Sequence, residues 1–184
     1  AGWTLAGGTG LALQLGHRVS EGFDFFRNDT FDRTGLYALL EHQGACELLH
    51  RAEATLTVIS CGVMRSLFSI SDPFIYQTIP YRFFRLADTR DIALMKLIAI
   101  SDRGSRKDFV DLYTLLRGGL SLQECFDTLP KKYGPGLANA YHILKSLTYF
   151  DDAEGEPLPR MPEPLDWQEC KAFFVRGAHA IVLP

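Results

Sequence analysis

Residues 5–26 read LAGGTGLALQLGHRVSEGFDFF, and the order of parts in this stretch decides the fold. Residues 3–6 are a short apolar run that reads as a buried strand, and it passes into the turn Gly7-Gly8-Thr9. Thr9 is placed to cap a helix carrying Leu11, Ala12, Leu13 and Leu15, which Gly16-His17-Arg18 ends. Residues 23–26 then form a second short strand, closed by Asn28-Asp29-Thr30.

The glycine turn fits no common nucleotide fingerprint. Read as GxxxxGK[ST], it has Gly8 where the lysine must reach the phosphates. Read as GxGxxG, it has Leu13 in place of the third glycine. What remains is a Gly-Gly-Thr turn at a helix start. Such a turn either presents N–H groups and a hydroxyl to a phosphate or simply reverses the chain without a ligand.

Asp24 is the second feature, a charge inside the aromatic run 23–26. Alternation on a strand sends Phe23 and Phe25 to one face, and Asp24 to the other with Gly22. A carboxylate on a rigid strand beside a phosphate-binding turn suits Mg²⁺, and an edge-strand aspartate in solvent would read the same way.

Outward from this stretch, residues 34–44 carry Leu36, Leu39 and Leu40 at helical spacing. Residues 47–52, 55–60 and 63–69 read as strands, with Cys61-Gly62 turning between the last two. Pro73 and Pro80 bracket an irregular stretch, and residues 83–86 read as a final strand. The pattern then becomes helical. Asp88 is a cap with Asp91 three residues on, in the manner of a capping box, for a helix through Ile92, Met95, Leu97, Ile98 and Ala99. A polar loop at 101–105 precedes a second helix carrying Phe109, Val110, Leu112, Tyr113, Leu115 and Leu116. Two more helices follow over about 122–132 and 137–150. Four prolines make residues 154–165 an extended linker, and Asp166 caps a last helix to about Val175.

This layout predicts a mixed α/β (α+β) fold in which a short mixed sheet flanked by helices is followed by a helical C-terminal half. The expected division is a core over 1–117, a helical extension over 118–150, a Pro-rich linker over 151–165 and a terminal helix and tail over 166–184. The start, AGWTLAGGTG, reads as the middle of a strand, which predicts that further chain precedes residue 1.

Composition narrows the function classes. With 47% hydrophobic and 22% charged residues, the chain has the make-up of a protein with a proper core. A net charge of -3 gives no global basic footprint, so any nucleic-acid contact has to be local. The cysteines Cys46, Cys61, Cys125 and Cys170 form no CxxC, and the histidines show no HExxH, so reduced thiols and no zinc site are expected. No apolar run is long enough for a membrane span and no secretory n-region is present, which together predict a cytoplasmic protein.

A local basic excess does occur. Between Arg82 and Lys107 there are Arg82, Arg85, Arg90, Lys96, Arg103, Arg106 and Lys107 against only Asp88, Asp91 and Asp102. A polyphosphate needs such an excess in a protein of negative overall charge. Lys96 lies between Met95 and Leu97, and Asp111 between Val110 and Leu112, apolar settings in which a charged side chain needs a partner or a task. A solvated helical face with an ordinary salt bridge is the alternative.

The three features fall in the order of a known family. LAGGTGLALQLGHRVSEGFDFF (residues 5–26) and DTRDIALMKLIAISDRGSRKDFVDLYTLL (residues 88–116) resemble two blocks of the AbiEii/AbiGii toxin family of nucleotidyltransferases, within the DNA polymerase β-like superfamily. The resemblance spans about residues 3–117 and leaves 118–184 without a motif. It implies a nucleotidyltransferase-type core and a bacterial toxin–antitoxin or abortive-infection protein that transfers a nucleotide from an NTP to an acceptor such as tRNA. It further implies Mg²⁺ or Mn²⁺ as cofactor and a cognate antitoxin as partner. Gly8 and Thr9 would cradle the phosphates. Asp24 would hold the metal, and Lys96 would neutralise the triphosphate with help from Arg18 or Arg106. Asp111 would orient Lys96 or act near the nucleophile, and Ser20 stands where some relatives carry a hydroxyl. One departure is plain: the family's Asp-x-Asp reads Gly22-Phe23-Asp24 here, and Glu21 would face the wrong side. The departure sets a second expectation beside the first, a catalytically impaired member that binds nucleotide or a partner. An RNA-binding helical module is a third.

Overall fold

In the computed structural model, which describes residues 2–135 and 139–183, the glycine-rich opening puts a strand and a helix back to back. Strand β1 (Thr4–Ala6) leads without a loop into α1 (Gly7–Leu15), and the connection is possible because Gly7 takes φ +62°. The helix therefore starts two residues before Thr9, with Ala6 as its N-cap and no side chain bonding its first-turn N–H groups. The expected Thr9 cap is corrected on this point. Left-handed Gly16 ends α1, its N–H donating to Ala12 O.

The remaining elements are β2 (Gly22–Arg27), α2 (Arg33–Gln43), β3 (Cys46–Ala52), β4 (Thr55–Ser60), β5 (Val63–Ser69), β6 (Ile79–Tyr81) and β7 (Phe84–Leu86), then α3 (Thr89–Arg103), α4 (Arg106–Arg117), α5 (Leu122–Tyr133), α6 (Ala140–Ser146), α7 (Asp151–Glu154) and α8 (Trp167–Ala180). The strands form one mixed sheet in the order β3-β4-β5-β2-β1-β7-β6. β1 runs antiparallel to β2 and parallel to β7, and β2 runs parallel to β5 with Asp24 opposite Ser66. The mixed α/β fold is as read.

Several boundaries differ for physical reasons. β6 contains Pro80, which argues against a strand in sequence, yet β6 is an edge strand paired only with β7, where the missing N–H costs little. α3 extends through the expected loop to Arg103 and stops at left-handed Gly104. The start of the helix expected over 137–150 lies outside the described residues, and the helical part that is described is Ala140–Ser146. The expected linker begins with a helical turn, α7, whose Ala153 is fully buried. α8 continues past Val175 to Ala180.

The Asp88–Asp91 capping box is also corrected. Asp88 does cap α3, accepting from Arg90 N. Asp91 is buried and turns away from the cap, accepting from the N–H groups of Ile75 and Tyr76 and from Lys132 Nζ at 2.9 Å. It therefore ties the irregular stretch before β6 to α3 and α5.

One continuous apolar cluster joins Ala6 and Leu11 to Ile92, Leu97, Phe109 and Leu112 on α3 and α4, and on to Phe126, Leu147, Trp167 and Phe174. The helical half and α8 thus share a core with α1. On the other sheet face, Leu36, Tyr37 and Leu40 of α2 pack on Leu56, Val58 and Leu67. Asp32 caps α2, accepting from Thr34 N and Gly35 N. Asp32→Ala is expected to lower stability by about 1 kcal/mol, read as a shift of the urea midpoint at unchanged slope. Among the described residues, no helix is long and apolar enough to cross a membrane.

Candidate active site

The site begins with the sheet register. Asp24 and Gly22 lie on the face of β2 that looks toward α1 and α3, while Phe23 and Phe25 stack on the opposite face. The Asp24 carboxylate sits directly over Gly7: a Cβ there would lie 2.5 Å from Asp24 Oδ2. Gly8 is equally constrained, since its Cβ would lie 2.2 Å from an Arg18 guanidinium nitrogen and 3.1 Å from Ser20 Oγ. Both glycines are needed for close approach.

Asp24 opens onto a cavity of about 730 Å³. Gly8, Arg18, Ser20 and Gly22 line its floor, and Met64, Ser66 and Phe68 of β5 line one side. Lys96, Arg103 and Lys107 stand opposite, and the strap Pro157–Arg160 crosses the edge. The strap is held by Val19 N donating to Arg160 O at 2.8 Å and by an exposed Arg160–Glu21 ion pair.

Behind this wall, buried charges alternate in sign. Asp111, fully buried, accepts from Arg18 Nε at 2.5 Å and from the second Arg18 nitrogen at 2.9 Å, and it lies 2.8 Å from His17 Nε2. Lys96 Nζ sits 2.6 Å from both Asp111 and Asp108, and Asp108 also accepts from Arg103. Burial by itself would raise both aspartates, but the cations outweigh it and hold Asp111 and Asp108 below the usual carboxylate range. Burial would likewise lower Lys96, and Asp111 with Asp108 raises it instead. Asp24 behaves in the opposite way. Desolvation raises its pKa, against the pull of Lys96, Arg103, Lys107 and the Ser66 hydroxyl.

The structure therefore brings Gly8, Arg18, Ser20, Asp24 and Lys96 together around one cavity, with Asp111 behind them. Three details depart from the sequence reading. Thr9 is buried, and its hydroxyl donates to the Gly22 carbonyl and lies 2.8 Å from Ser20 Oγ, so it is engaged within the protein, while the first-turn N–H groups of α1 have no side-chain cap. Arg18 and Lys96 are largely taken up by Asp111 and Asp108. Arg106 is outside the cavity: its guanidinium donates to the carbonyls of Ala153 and Glu154 and lies 4.9 Å from the Trp167 ring centre, bracing α4 against α7 and α8.

Arg103, Lys107, Asp108, Ser66 and Gly7 had no site role of their own in the sequence reading, where Arg103 and Lys107 entered only within the basic excess and Gly7 only within the turn. Helical phase carried a signal for two of them. Asp108 and Lys107 stand three and four residues before Asp111 and so share its face, whereas Arg106 is rotated off it. Nothing in a single sequence marks Ser66.

A curated relative, the uncharacterized protein aq_aa25 of Aquifex aeolicus (strain VF5), is 36% identical over 177 residues, 94% of this chain and 84% of its own length. Two solved structures share the fold at 15% identity. JHP933 from Helicobacter pylori has a TM-score of 0.56 over 97% of this chain and 83% of its own. MenT4, the nucleotidyltransferase toxin Rv2826c from Mycobacterium tuberculosis H37Rv, also has a TM-score of 0.56, over 97% of this chain and 74% of its own. A family model described as nucleotidyl transferase AbiEii toxin, type IV TA system, matches residues 63–181, well over half of the sequence. The chain belongs to the AbiEii nucleotidyl transferase toxin family.

Proposed function

We propose that the protein transfers a nucleotide from an NTP to an acceptor hydroxyl, with tRNA as the acceptor and a cognate antitoxin as its partner. The observation that supports this most is the meeting of one raised-pKa carboxylate, Asp24, with Lys96, Arg103 and Lys107 across a single cavity at the uncapped start of α1. Phosphoryl transfer rests on positioning and charge neutralisation, and this cavity offers both. The first-turn N–H groups of α1 and the Ser20 hydroxyl would hold the triphosphate. An acceptor oxygen attacks the α-phosphorus while Asp24 takes its proton. The bond from the α-phosphorus to the bridging oxygen breaks, and pyrophosphate leaves with its charge met by Arg103 and Lys107.

The family generally uses an NTP and a divalent metal. The residues here do not fit a paired-metal clamp. On the adjoining strands β2 and β5, Asp24 is the one carboxylate on the face toward the cavity, flanked by Gly22 and Ser66, and three cations bear on it. Among the described residues, no group of three His, Cys, Asp or Glu side chains could hold an ion. The expected role of Asp24 as a metal ligand is replaced in this proposal by that of proton acceptor.

Gly22 favours a second reading, in which the protein binds nucleotide without turnover. Incubation with each labelled NTP and total tRNA, in separate Mg²⁺, Mn²⁺ and EDTA arms, separates the two. Label in tRNA is the expected result. Bound NTP with no label transferred in any arm would establish the binding module in its place.

A further inference from the structure

The charge around this cavity is arranged for an anion that arrives without its metal. On the sheet side, β2 presents Gly22, Asp24 and Phe26, and its parallel neighbour β5 sets Met64, Ser66 and Phe68 beside them. Toward the cavity, these two strands carry one negative charge, that of Asp24. Glu21 and Arg160, at the rim, cancel each other. On the helical side, the connected charges are Arg18, Lys96 and Arg103 against Asp108 and Asp111, three positive and two negative. Lys107 adds a fourth positive charge and makes no ion pair among the described residues. With Asp24 included, the balance is four positive to three negative, before the positive end of α1 is counted. The groups that reach the solvent of the cavity are Arg103, whose side chain is 58% exposed, and Lys107.

We propose that the pocket takes the polyphosphate of its nucleotide as the free anion, Arg103 and Lys107 supplying the neutralisation for which the family generally uses a divalent ion. The inference rests on the nucleotide reading above and has a sign that can be measured. Mg²⁺ bound to a triphosphate removes two of its negative charges. At a site built from cations this loss weakens binding or leaves it unchanged, whereas at a pair of carboxylates it makes binding possible.

Calorimetric titration of the whole chain with inorganic tripolyphosphate, in EDTA and in Mg²⁺, reads that sign. The expected result is binding in EDTA at least as tight as in Mg²⁺. Lys107→Ala, at an exposed position, is expected to weaken it by about tenfold. Gly22→Asp restores a second carboxylate where the tight contact of a Cβ is with the Met64 Cε, at 3.0 Å, a flexible tip that can move aside, and the Met64 carbonyl oxygen at 3.8 Å is in ordinary van der Waals contact. That variant is expected to reverse the order, binding weakly in EDTA and recovering with Mg²⁺. Wild-type binding that requires Mg²⁺, or a Lys107→Ala variant that binds like the parent, overturns the proposal and leaves the nucleotide reading in place. No binding under either condition removes both.

Discussion

Asp111→Asn is expected to cost about 3–5 kcal/mol of stability, because it breaks a buried ion network on one side only. The side chain keeps its size and loses its charge. Arg18 and Lys96, both nearly enclosed, are then left facing an amide that cannot compensate two cations. For a chain of this length the melting temperature should fall by roughly 6–20 °C, which circular dichroism would record. Acidity should act on the same network. Asp111 and Asp108 are held below the usual carboxylate range, so their contribution is complete above the unfolded-state value of about 3.9 and is lost as pH falls through the folded values. The variant should therefore show a shallower loss of stability on acidification than the parent. A melting point within a degree of the parent would mean that the network holds nothing together.

Asp24→Asn is expected to lower the rate of nucleotide transfer by about 10²–10⁴-fold, the usual contribution of a positioned general base. Tripolyphosphate binding should be retained or tightened, since the change removes a negative charge facing the anion. The loss should thus fall on kcat and spare KM. Burial raises the Asp24 pKa, and only the deprotonated form can accept the acceptor's proton. The parent's rate should accordingly rise with pH through that elevated value, and the variant should lack this limb. Transfer at the parental rate by Asp24→Asn would take the residue out of the reaction.

Legibility differed between levels of structure. β4 and β5 stood at their read boundaries because β-branched runs meet at Cys61-Gly62, a turn written in local chemistry. Asp24, Lys96 and Asp111 were visible as charges in apolar surroundings, the one kind of functional signal that survives without tertiary knowledge. Asp91 was read as a capping-box acid and so assigned to the wrong partner, because the N–H groups of Ile75 and Tyr76 are brought to it only by folding. Arg106 and Lys107 are equivalent as composition and differ by one step of helical rotation, which sends one to α7 and the other to the cavity. The strap over 157–160 could be read as extended chain, but its seat against Val19 depends on a contact across 141 positions of sequence, beyond any local rule.

The two carboxylate positions that matter most to this pocket differ sharply in how freely they can change. At position 22 the one tight contact of an added Cβ is a methionine tip, so the scaffold has room to begin a side chain there. At position 111 the acid is also a keystone of the interior. The scaffold therefore leaves position 22 of the cavity lining free to vary and holds position 111 fixed from within.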